Sequence, residues 1–432
     1  MKFSLRASLR WLYPGLRVKR WILLASISMG LIVTALLLGF GEGIVVSLHR
    51  ALPLGGTPWI AHALMAGLLA LGVLGFGFSI LRLVRSMARS LAPRRAARPS
   101  TMIYRRRILD RGPRVVAIGG GTGLSTLLRG LKEETSNITA IVTVMDDGGS
   151  SGRLRAEVDV LPPGDVRNCI LALAEDESRL SRYLQHRFDR PAELAGHSLG
   201  NLLLSGLEQA TGGFDRAIEA MASVLNTRGR VLPATLAETH LVGTMEDGSR
   251  IEGESRIVFD PRSIRTVGLK DPLVQPHPDV LDAIKEADLI ILGPGSLYTS
   301  LVPNLLVEGI ARGVEQAAGE KVLVANLMTQ PGETDGYTLK RHLDVLDEYV
   351  SLTSFDLLIA NAEAPSEAFL SRYRDEAAAP VIDDLGESTE YGMLIVRDRL
   401  LGTAEWGGKE TVKHNPKKLV RAIVKHTRAF GA

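Results

Sequence analysis

The 432-residue sequence contains a single cysteine, Cys169. One cysteine excludes an intrachain disulfide and any zinc site built from several cysteine ligands, and it fits a protein kept in a reducing compartment. The flanking residues, Arg-Asn-Cys-Ile-Leu, favour a buried, small apolar role for this side chain over a nucleophilic one.

Acidic side chains are nearly absent from the first 114 residues. This segment carries 18 Lys and Arg residues and two Asp and Glu residues, a net charge of +16, whereas the remaining residues carry 33 basic and 46 acidic ones, a net of −13. The basic charge therefore belongs to the N-terminal segment. Because the rest of the chain is acidic, the sequence argues against a nucleic-acid partner.

Charge is missing altogether from residues 21–40, and residues 59–81 contain only one titratable side chain, His62. About twenty apolar residues suffice to cross a bilayer as a helix. A cleaved signal peptide is a poorer interpretation, because the first run is long and a second one follows it. Residues 1–81 are therefore predicted to form a transmembrane hairpin, and two buried helices of a globular core are the alternative.

Basic residues flank both apolar runs on the sides away from their short connector. Since cytoplasmic flanks of membrane helices are rich in Lys and Arg, we expect a multi-pass protein of the plasma membrane with its main domain in the cytoplasm. Residues 82–112 are predicted to be a basic linker close to anionic lipid headgroups. The membrane lipid is thus one expected partner.

Residues 113–432 alternate short apolar runs with amphipathic stretches, which predicts an α/β domain with a mostly parallel, doubly wound (Rossmann-like) sheet. Two further runs flank the turn Glu-Asp-Gly-Ser and predict an inserted antiparallel hairpin. The predicted strands of the sheet are 115–119, 138–145, 289–292, 321–326 and 355–361, and those of the hairpin are 236–245 and 250–258.

Two glycine-rich turns each follow an apolar strand and precede a probable helix. The first is Gly-Gly-Gly-Thr-Gly at 119–123, and the second is Gly-Pro-Gly-Ser at 293–296. Glycine lets the backbone approach a phosphate closely, and the helix N-terminus favours an anion. The first turn lacks the dinucleotide fingerprint, since Leu124 replaces its last glycine, and it lacks the lysine of a P-loop. A tight turn without a ligand is the alternative, but two such turns in one cleft suit a diphosphate.

Acidic residues cluster at the end of the second predicted strand and after Pro-Pro-Gly. Paired carboxylates at a strand end can hold Mg²⁺ against phosphates, so Asp146, Asp147 and Asp165 are candidate metal ligands. Solvated carboxylates of an Asp-Gly turn are the alternative. Arg167 could grip a phosphate. His197 could be a ligand, an acid–base group or a helix cap. If the protein is an enzyme, Asp147, Asp165 and His197 are its candidate catalytic residues.

Six motifs, in this order, resemble the YvcK/CofD-like family over about residues 114–430. They are Gly-Gly-Gly-Thr-Gly, Asp-Asp-Gly-Gly-Ser-Ser-Gly-Arg, Pro-Pro-Gly-Asp-Val-Arg-Asn, His-Ser-Leu-Gly-Asn, Gly-Pro-Gly-Ser-Leu-Tyr-Thr-Ser and Met-Thr-Gln-Pro-Gly-Glu-Thr-Asp-Gly-Tyr. The resemblance implies one of two activities. YvcK-like members bind UDP-sugars and link central carbon metabolism to envelope synthesis and cell shape. CofD-like members transfer a phospholactyl group from a guanylyl diphosphate donor, using a metal held by Asp residues.

The full motif strings resemble the YvcK branch more closely. That branch implies that Tyr373 and Lys413 lie near the uridine and its phosphates, although Lys413 stands where an Arg is usual. We therefore expect a nucleotide-sugar-binding regulator, with a metal-dependent phospholactyl transferase as the alternative; an NAD(P)-linked oxidoreductase is disfavoured by the broken fingerprint. A homo-oligomer is possible, and Mg²⁺ is the one cofactor considered. The expected ligand-binding residues are Gly119, Gly120, Gly121, Thr122, Gly123, Arg167, Asn168, Asn201, Gly293, Gly295, Ser296, Thr329, Gln330, Tyr373 and Lys413.

Overall fold

The computed structural model describes residues 19–40, 58–91, 108–158, 160–192, 194–375, 377–387, 390–406 and 409–431. Its contacts divide the chain into two units, Met1–Arg105 and Arg106–Ala432. The short connector between the two apolar runs and the basic segment 92–107 lie outside the described residues. Of the rest of the predicted linker, residues 82–91 continue the second N-terminal helix, and residues 108–112 belong to the second unit.

The described residues of the first unit form two helices, α1 (Lys19–Phe40) and α2 (Pro58–Leu91). Both are long and apolar enough to cross a membrane, by length and composition. They pack through small residues: a Cβ added to Gly75 would lie 2.6 Å from Oγ of Ser28, and one added to Gly72 would lie 2.7 Å from Cγ1 of Ile32. Glycine and serine at a helix interface let the backbones approach closely. The outward leucines, by contrast, are exposed.

Among its described residues, the second unit contains twelve strands and thirteen α-helices. The strands are β1 (Val115–Gly119), β2 (Ile138–Val142), β3 (Arg230–Pro233), β4 (Leu241–Met245), β5 (Arg250–Glu252), β6 (Ile264–Leu269), β7 (Leu289–Leu292), β8 (Glu320–Val324), β9 (Leu357–Asn361), β10 (Leu394–Asp398), β11 (Leu401–Trp406) and β12 (Lys409–His414). The helices are α3 (Gly121–Leu131), α4 (Gly149–Val158), α5 (Gly164–Leu173), α6 (Glu177–Leu184), α7 (Leu199–Thr211), α8 (Phe214–Leu225), α9 (Glu254–Val258), α10 (Pro278–Lys285), α11 (Val302–Leu305), α12 (Ile310–Gln316), α13 (Leu339–Asp347), α14 (Glu367–Asp375) and α15 (Pro416–His426).

The main sheet has seven strands in the order β10-β9-β8-β7-β1-β2-β3, and every neighbouring pair is parallel. Alternate residues of each strand enter two separate cores, so that Val116 and Ile118 pack on one face while Val115 and Ala117 pack on the other. Helices cover both faces because each face is apolar. The predicted mostly parallel α/β sheet is confirmed.

The chain runs outward from β1 through β2 to β3 and later returns to pair β7 against the other side of β1. This reversal is a topological switch point between β1 and β7. In open α/β sheets a crevice forms at such a point, outside the carboxyl ends of the strands. Both glycine-rich turns follow strands that meet there.

The inserted antiparallel element is present but larger than predicted: β4 pairs with both β5 and β6. The predicted second strand, 250–258, is wrong beyond Glu252. Gly253 has a positive φ of 106°, which ends the strand. It is the N-cap of α9, and the Ser255 N–H in the first turn of this helix donates to Oδ1 of Asp147 over 2.8 Å. The antiparallel pair of β11 and β12 was also missed by the sequence analysis.

Candidate functional site

The two glycine-rich turns meet at the switch point and line one cavity of about 180 Å³. A Cβ on Gly123 would lie 2.8 Å from the carbonyl carbon of Pro294, so the absence of a side chain lets the turns touch. The expectation that both turns face one cleft is confirmed. The cavity is lined by Gly120, Gly121, Thr122, Gly123, Thr126, Pro294, Gly295, Ser296, Ser300, Asn326, Leu327, Met328, Gln330, Val412, Lys413 and His414.

A carboxylate of the protein holds the first glycine-rich turn. The N–H of Gly121, at the start of α3, donates to Oδ2 of Asp165 over 2.6 Å. Burial of the carboxyl, with the nearby Asp146, raises the pKa of Asp165 to about 6, although the residue as a whole is only partly buried. The first bond of the helical ladder runs from Leu124 N to Gly120 O. The N–H groups of Thr122 and Gly123 precede that ladder and therefore have no partner within the helix. Both residues line the cavity.

The second turn is held in the same way by Glu333. This turn leads into a π-helix, Leu297–Leu301, a rare element that is frequent at functional sites. Oε2 of Glu333 accepts the Tyr298 N–H over 3.3 Å and Oε1 accepts the Thr299 hydroxyl over 2.9 Å. Burial raises the pKa of Glu333 to about 7. The π-helix places the buried Ser300 beside Gly120 and Gly121 in the cavity wall.

The three predicted metal ligands do not form one group. Asp147 is turned toward α9, where it accepts the Ser255 N–H. Asp146 contacts the first residue of the same helix, because it shares a hydrogen bond with Glu254, whose pKa burial and the Asp146 carboxylate raise well above its ordinary value. Among the described residues, no group of three or more His, Cys, Asp or Glu side chains could hold a metal ion. Asp146 and Asp165 alone would supply too few ligands for Mg²⁺. No chemical step is therefore derived from a metal ion.

Arg167 is buried and bonds protein atoms. Its Nη1 donates to Oγ of Ser198 and, over 2.7 Å, to Oδ1 of Asn201, and its Nη2 donates to Oδ1 of Asn168 over 2.8 Å. Burial, with the nearby Arg187, lowers the pKa of Arg167 to about 10. Arg167, Asn168 and Asn201 therefore join the start of α5 to the start of α7, and a phosphate contact by Arg167 stays a prediction.

His197 belongs to the same buried network. Its Nδ1 lies 3.0 Å from Oγ of Ser150, which also accepts a hydrogen bond from Nδ2 of Asn201. Burial lowers the pKa of His197 from its ordinary value. The helix-capping alternative for His197 is wrong, because Ser198 is the N-cap of α7 and accepts the Asn201 N–H. The network fixes the loop that carries Asp146 and Asp147.

The loop after β8 forms the far wall of the cavity. Gln330 lines it, and its Nε2 donates to Oγ of Ser296 over 2.6 Å, tying this loop to the second turn. Thr329 instead stabilises the loop: its N–H donates to the Ala379 carbonyl, and its hydroxyl accepts the Ala379 N–H. Gly293 likewise lies just before the cavity, with its N–H bonded to Ile118 O and a φ of 83°.

Strand β12 supplies the remaining wall through Val412, Lys413 and His414. Lys413 is half-buried. Its burial, and to a smaller extent the positive charge of the nearby Arg129, lowers the pKa of Lys413. The hydroxyl of Tyr373 accepts the Val412 N–H over 2.9 Å. Tyr373 therefore positions the strand that carries Lys413, and its proposed stacking on a base is a separate expectation.

Several lining residues were missed from the sequence. Thr126 and Ser300 lie one turn into the elements after β1 and β7, so the helical period of those segments could have indicated them. Asn326 follows β8 in a polar loop and could have been selected by the strand-end rule. Val412 and His414 lie on a hairpin that the hydrophobic pattern did not indicate, so no comparable signal pointed to them.

The comparisons agree with this geometry. The family profile described as "2-phospho-L-lactate transferase CofD" matches residues 115–401. The chain belongs to the YvcK/CofD-like family. A "Gluconeogenesis factor" of Bacillus subtilis is 44% identical over 312 residues, which cover 72% of this chain and 97% of that protein. A "Putative gluconeogenesis factor" of Nostoc sp. is 43% identical over 427 residues, covering 96% of this chain and 92% of that one.

A crystal structure of protein BH3568 from Bacillus halodurans is similar to this family member, with 46% identity and a TM-score of 0.69. The matched region covers 73% of this chain and 100% of the BH3568 chain. Relatives therefore come in two lengths. The Bacillus proteins match about the extent of the second unit, whereas the Nostoc relative aligns over nearly the whole chain, the N-terminal segment included.

Proposed function

We propose that the second unit binds a nucleotide-sugar of the UDP-GlcNAc or UDP-glucose type at the cavity between β1 and β7. The observation that carries this proposal is the contact between the two glycine-rich turns at the switch point of the sheet. A diphosphate placed there would face the N–H groups of Thr122 and Gly123 and the side chain of Lys413. Helix N-termini and cations both favour phosphate.

The size of the cavity also bears on the ligand. About 180 Å³ suits a diphosphate and part of an attached group, whereas whole drug-sized ligands occupy about 300–1,000 Å³. In this proposal the diphosphate lies at the turns, and the base and sugar extend along the open cleft between the loop after β8 and strand β12.

The protein acts, in this proposal, as a regulator that senses nucleotide-sugar and links gluconeogenic growth to cell-envelope synthesis and cell shape. Support comes from the relatives named gluconeogenesis factor and from the motif strings of the YvcK branch. The alternative, a metal-dependent 2-phospho-L-lactate transferase-like enzyme, is supported by the family profile. It is disfavoured by the separation of Asp147 from Asp165, because a metal-dependent transfer needs convergent ligands.

The first unit would hold this sensor at the plasma membrane. The support is the combination of small residues at the interface of α1 and α2 with leucines on their outer surfaces: Leu23, Leu71 and Leu74 are 64%, 62% and 72% exposed. Large apolar side chains so exposed need a cover, and lipid is the cover that suits the uncharged stretches 21–40 and 59–81 of these helices.

The test is calorimetry of the full-length protein in detergent with UDP-GlcNAc, UDP-glucose, GDP and NAD, each with a divalent metal and with a chelator. We expect a uridine nucleotide-sugar to bind in both conditions without forming product. Binding of GDP only with the metal, accompanied by transfer, would establish the alternative. Binding of NAD in preference to the others would refute both.

A further inference from the structure

His414 ends strand β12 in the wall of the cavity and is only 7% exposed. One nitrogen of its ring bonds the backbone carbonyl of Ala325. The other, Nε2, is buried without a hydrogen-bond partner. Most buried side-chain polar atoms in folded proteins are paired, so an unpaired nitrogen in a cavity wall calls for an explanation.

The chemistry of the ring decides what this nitrogen can do. A carbonyl oxygen only accepts hydrogen bonds, so Nδ1, the nitrogen that faces Ala325, carries the proton. Burial lowers the pKa of His414 to about 4, and the ring is therefore neutral at physiological pH. A neutral imidazole protonated on Nδ1 presents a lone pair on Nε2, which is an acceptor.

A second histidine shows that an unpaired nitrogen is not by itself a binding signal. His342 is buried on α13, its Nδ1 bonds the Thr338 carbonyl over 2.8 Å, and its Nε2 is also unpaired. Its ring packs against Tyr337, within the hydrophobic core. His414 differs by its position in the wall of the cavity, beside Lys413.

We infer that Nε2 of His414 accepts a hydrogen bond from an N–H or O–H group of the bound molecule, and this inference rests on the proposed function. The cavity then has two chemical sides. The turns and Lys413 offer N–H donors and positive charge to phosphate, while His414 offers an acceptor. Phosphate oxygens at neutral pH only accept, so His414 recognises the part of the ligand that carries hydroxyl or amide donors.

This assignment makes His414 a specificity-determining residue of the site. A side of the cavity that demands a donor disfavours a ligand made of phosphate alone, because its buried acceptor would stay unpaired. Gln330, in the wall formed by the loop after β8, offers a second acceptor, since its Nε2 is used by Ser296 and its Oε1 is buried without a partner.

The experiment measures the affinity of the full-length protein, in detergent, for UDP-GlcNAc and UDP-glucose. Three variants are compared with the wild type: His414→Phe keeps the ring shape without the acceptor, His414→Gln supplies an amide oxygen, and His342→Phe is the matched control. We expect His414→Phe to weaken binding by about tenfold or more, as for the loss of a partner to a buried polar group. His414→Gln should recover most of the affinity, and His342→Phe should bind like the wild type.

Rescue by Gln separates the need for an acceptor from the need for a ring, because Phe keeps a planar ring and Gln does not. Equal affinity of wild type and His414→Phe would overturn the inference while leaving the proposed function intact. The inference also fails if Phe and Gln weaken binding equally, or if His342→Phe weakens it as much as His414→Phe. Failure of the wild type to bind either nucleotide-sugar would instead refute the proposed function.

Discussion

The backbone N–H of Gly121 donates a hydrogen bond to Oδ2 of Asp165 over 2.6 Å, so a carboxylate of the protein lies at the N-terminus of α3. Glu333 takes the corresponding place at the π-helix after β7. A helix N-terminus stabilises an anion, and here a carboxyl group of the protein already lies at each one. An incoming diphosphate must therefore use the next N–H groups along and tolerate two buried carboxyls nearby.

Replacing Asp165 by Asn tests how the protein manages this charge. The amide keeps an acceptor for the Gly121 N–H but removes the negative charge close to the proposed diphosphate. We expect Asp165→Asn to bind UDP-sugar several-fold more tightly than the wild type in chelator, since like charges repel across a low-dielectric site. Calorimetry at pH 8 measures the difference.

Asp147→Asn is the matched control for that change. Asp147 accepts the Ser255 N–H at the start of α9, and Asn keeps that acceptor, so the substitution should change stability little and leave UDP-sugar affinity unaltered. If both variants instead abolish a metal-dependent transfer while binding survives, the transferase interpretation replaces the regulator.

Glycine substitutions in the first turn should separate ligand approach from turn packing. A Cβ on Gly121 would meet only Oγ of Ser300 at 3.7 Å, but the φ of 62° strains any other residue, whereas a Cβ on Gly123 would overlap the Pro294 carbonyl. We expect Gly121→Ala to weaken binding with a stability loss of about 1–2 kcal/mol. Gly123→Ala should lose more of both, because backbone must move.

Gly248 provides the control for strain alone, since its φ is 82° and a Cβ there would meet nothing within 4 Å. Gly248→Ala should lose stability to a similar extent as Gly121→Ala while binding normally. Thermal unfolding and calorimetry on the same samples give both quantities. Unchanged affinity in Gly121→Ala would mean that this turn is structural only.

The buried carboxyl of Glu333 predicts a pH dependence of stability. Its pKa is raised to about 7 in the folded protein from an ordinary 4.5. Between these values the unfolded chain releases a proton that the folded protein retains, so stability falls as pH rises from about 4.5 to 7 and then levels off, a loss of a few kcal/mol at most at about 1.4 kcal/mol per pKa unit.

Glu333→Gln removes this titration, so the fall in Tm between pH 5 and pH 8 should be smaller in the variant than in the wild type. Glu286→Gln is the control, because the Glu286 side chain is 66% exposed and its loss should leave the slope as it is. A slope unaltered in Glu333→Gln would show that its carboxyl is not held in the protonated form.

The sequence predicted the sheet better than the side-chain geometry of the site. Strands such as β1 and β7 are continuous apolar runs because both of their faces are buried, and that pattern is legible in one dimension. The glycine-rich turns were found for the same reason: a strand, a turn and a helix follow one another along the chain.

Side-chain direction could not be read in this way. Asp146 and Asp147 both contact the first turn of α9, one through the Glu254 side chain and the other through the Ser255 N–H, and that helix was not predicted from the sequence. The contacts of Arg167 with Ser198 and Asn201 could not be predicted either, because they depend on the tertiary packing of α5 and α7. His414 was missed since it reaches the cavity only through the pairing of β11 with β12.

Packing between the N-terminal helices gives a prediction with a control inside α2. A side chain at Gly72 would meet Ile32 and the Ser28 carbonyl, whereas one at Gly77 would meet nothing within 4 Å. Gly72→Leu should therefore separate the hairpin, and Gly77→Leu, on an open surface, should not. Crosslinking of cysteines placed on α1 and α2 reports the separation, and equal crosslinking in both variants would contradict the packing.

Membrane topology carries the last prediction. Two apolar helices whose outer flanks are basic should place both of their ends in the cytoplasm, since Lys and Arg resist translocation. A reporter fused after Ala432 should then be active only as a cytoplasmic reporter, and one inserted near Gly55 only as an exported one. Deleting residues 1–100 should release the protein from membranes at high salt, and a deletion variant that still pellets would assign the attachment to the second unit. Reversed reporters would defeat the proposed function as well, because the acidic unit would be separated from the cytosolic nucleotide-sugars that it is proposed to bind.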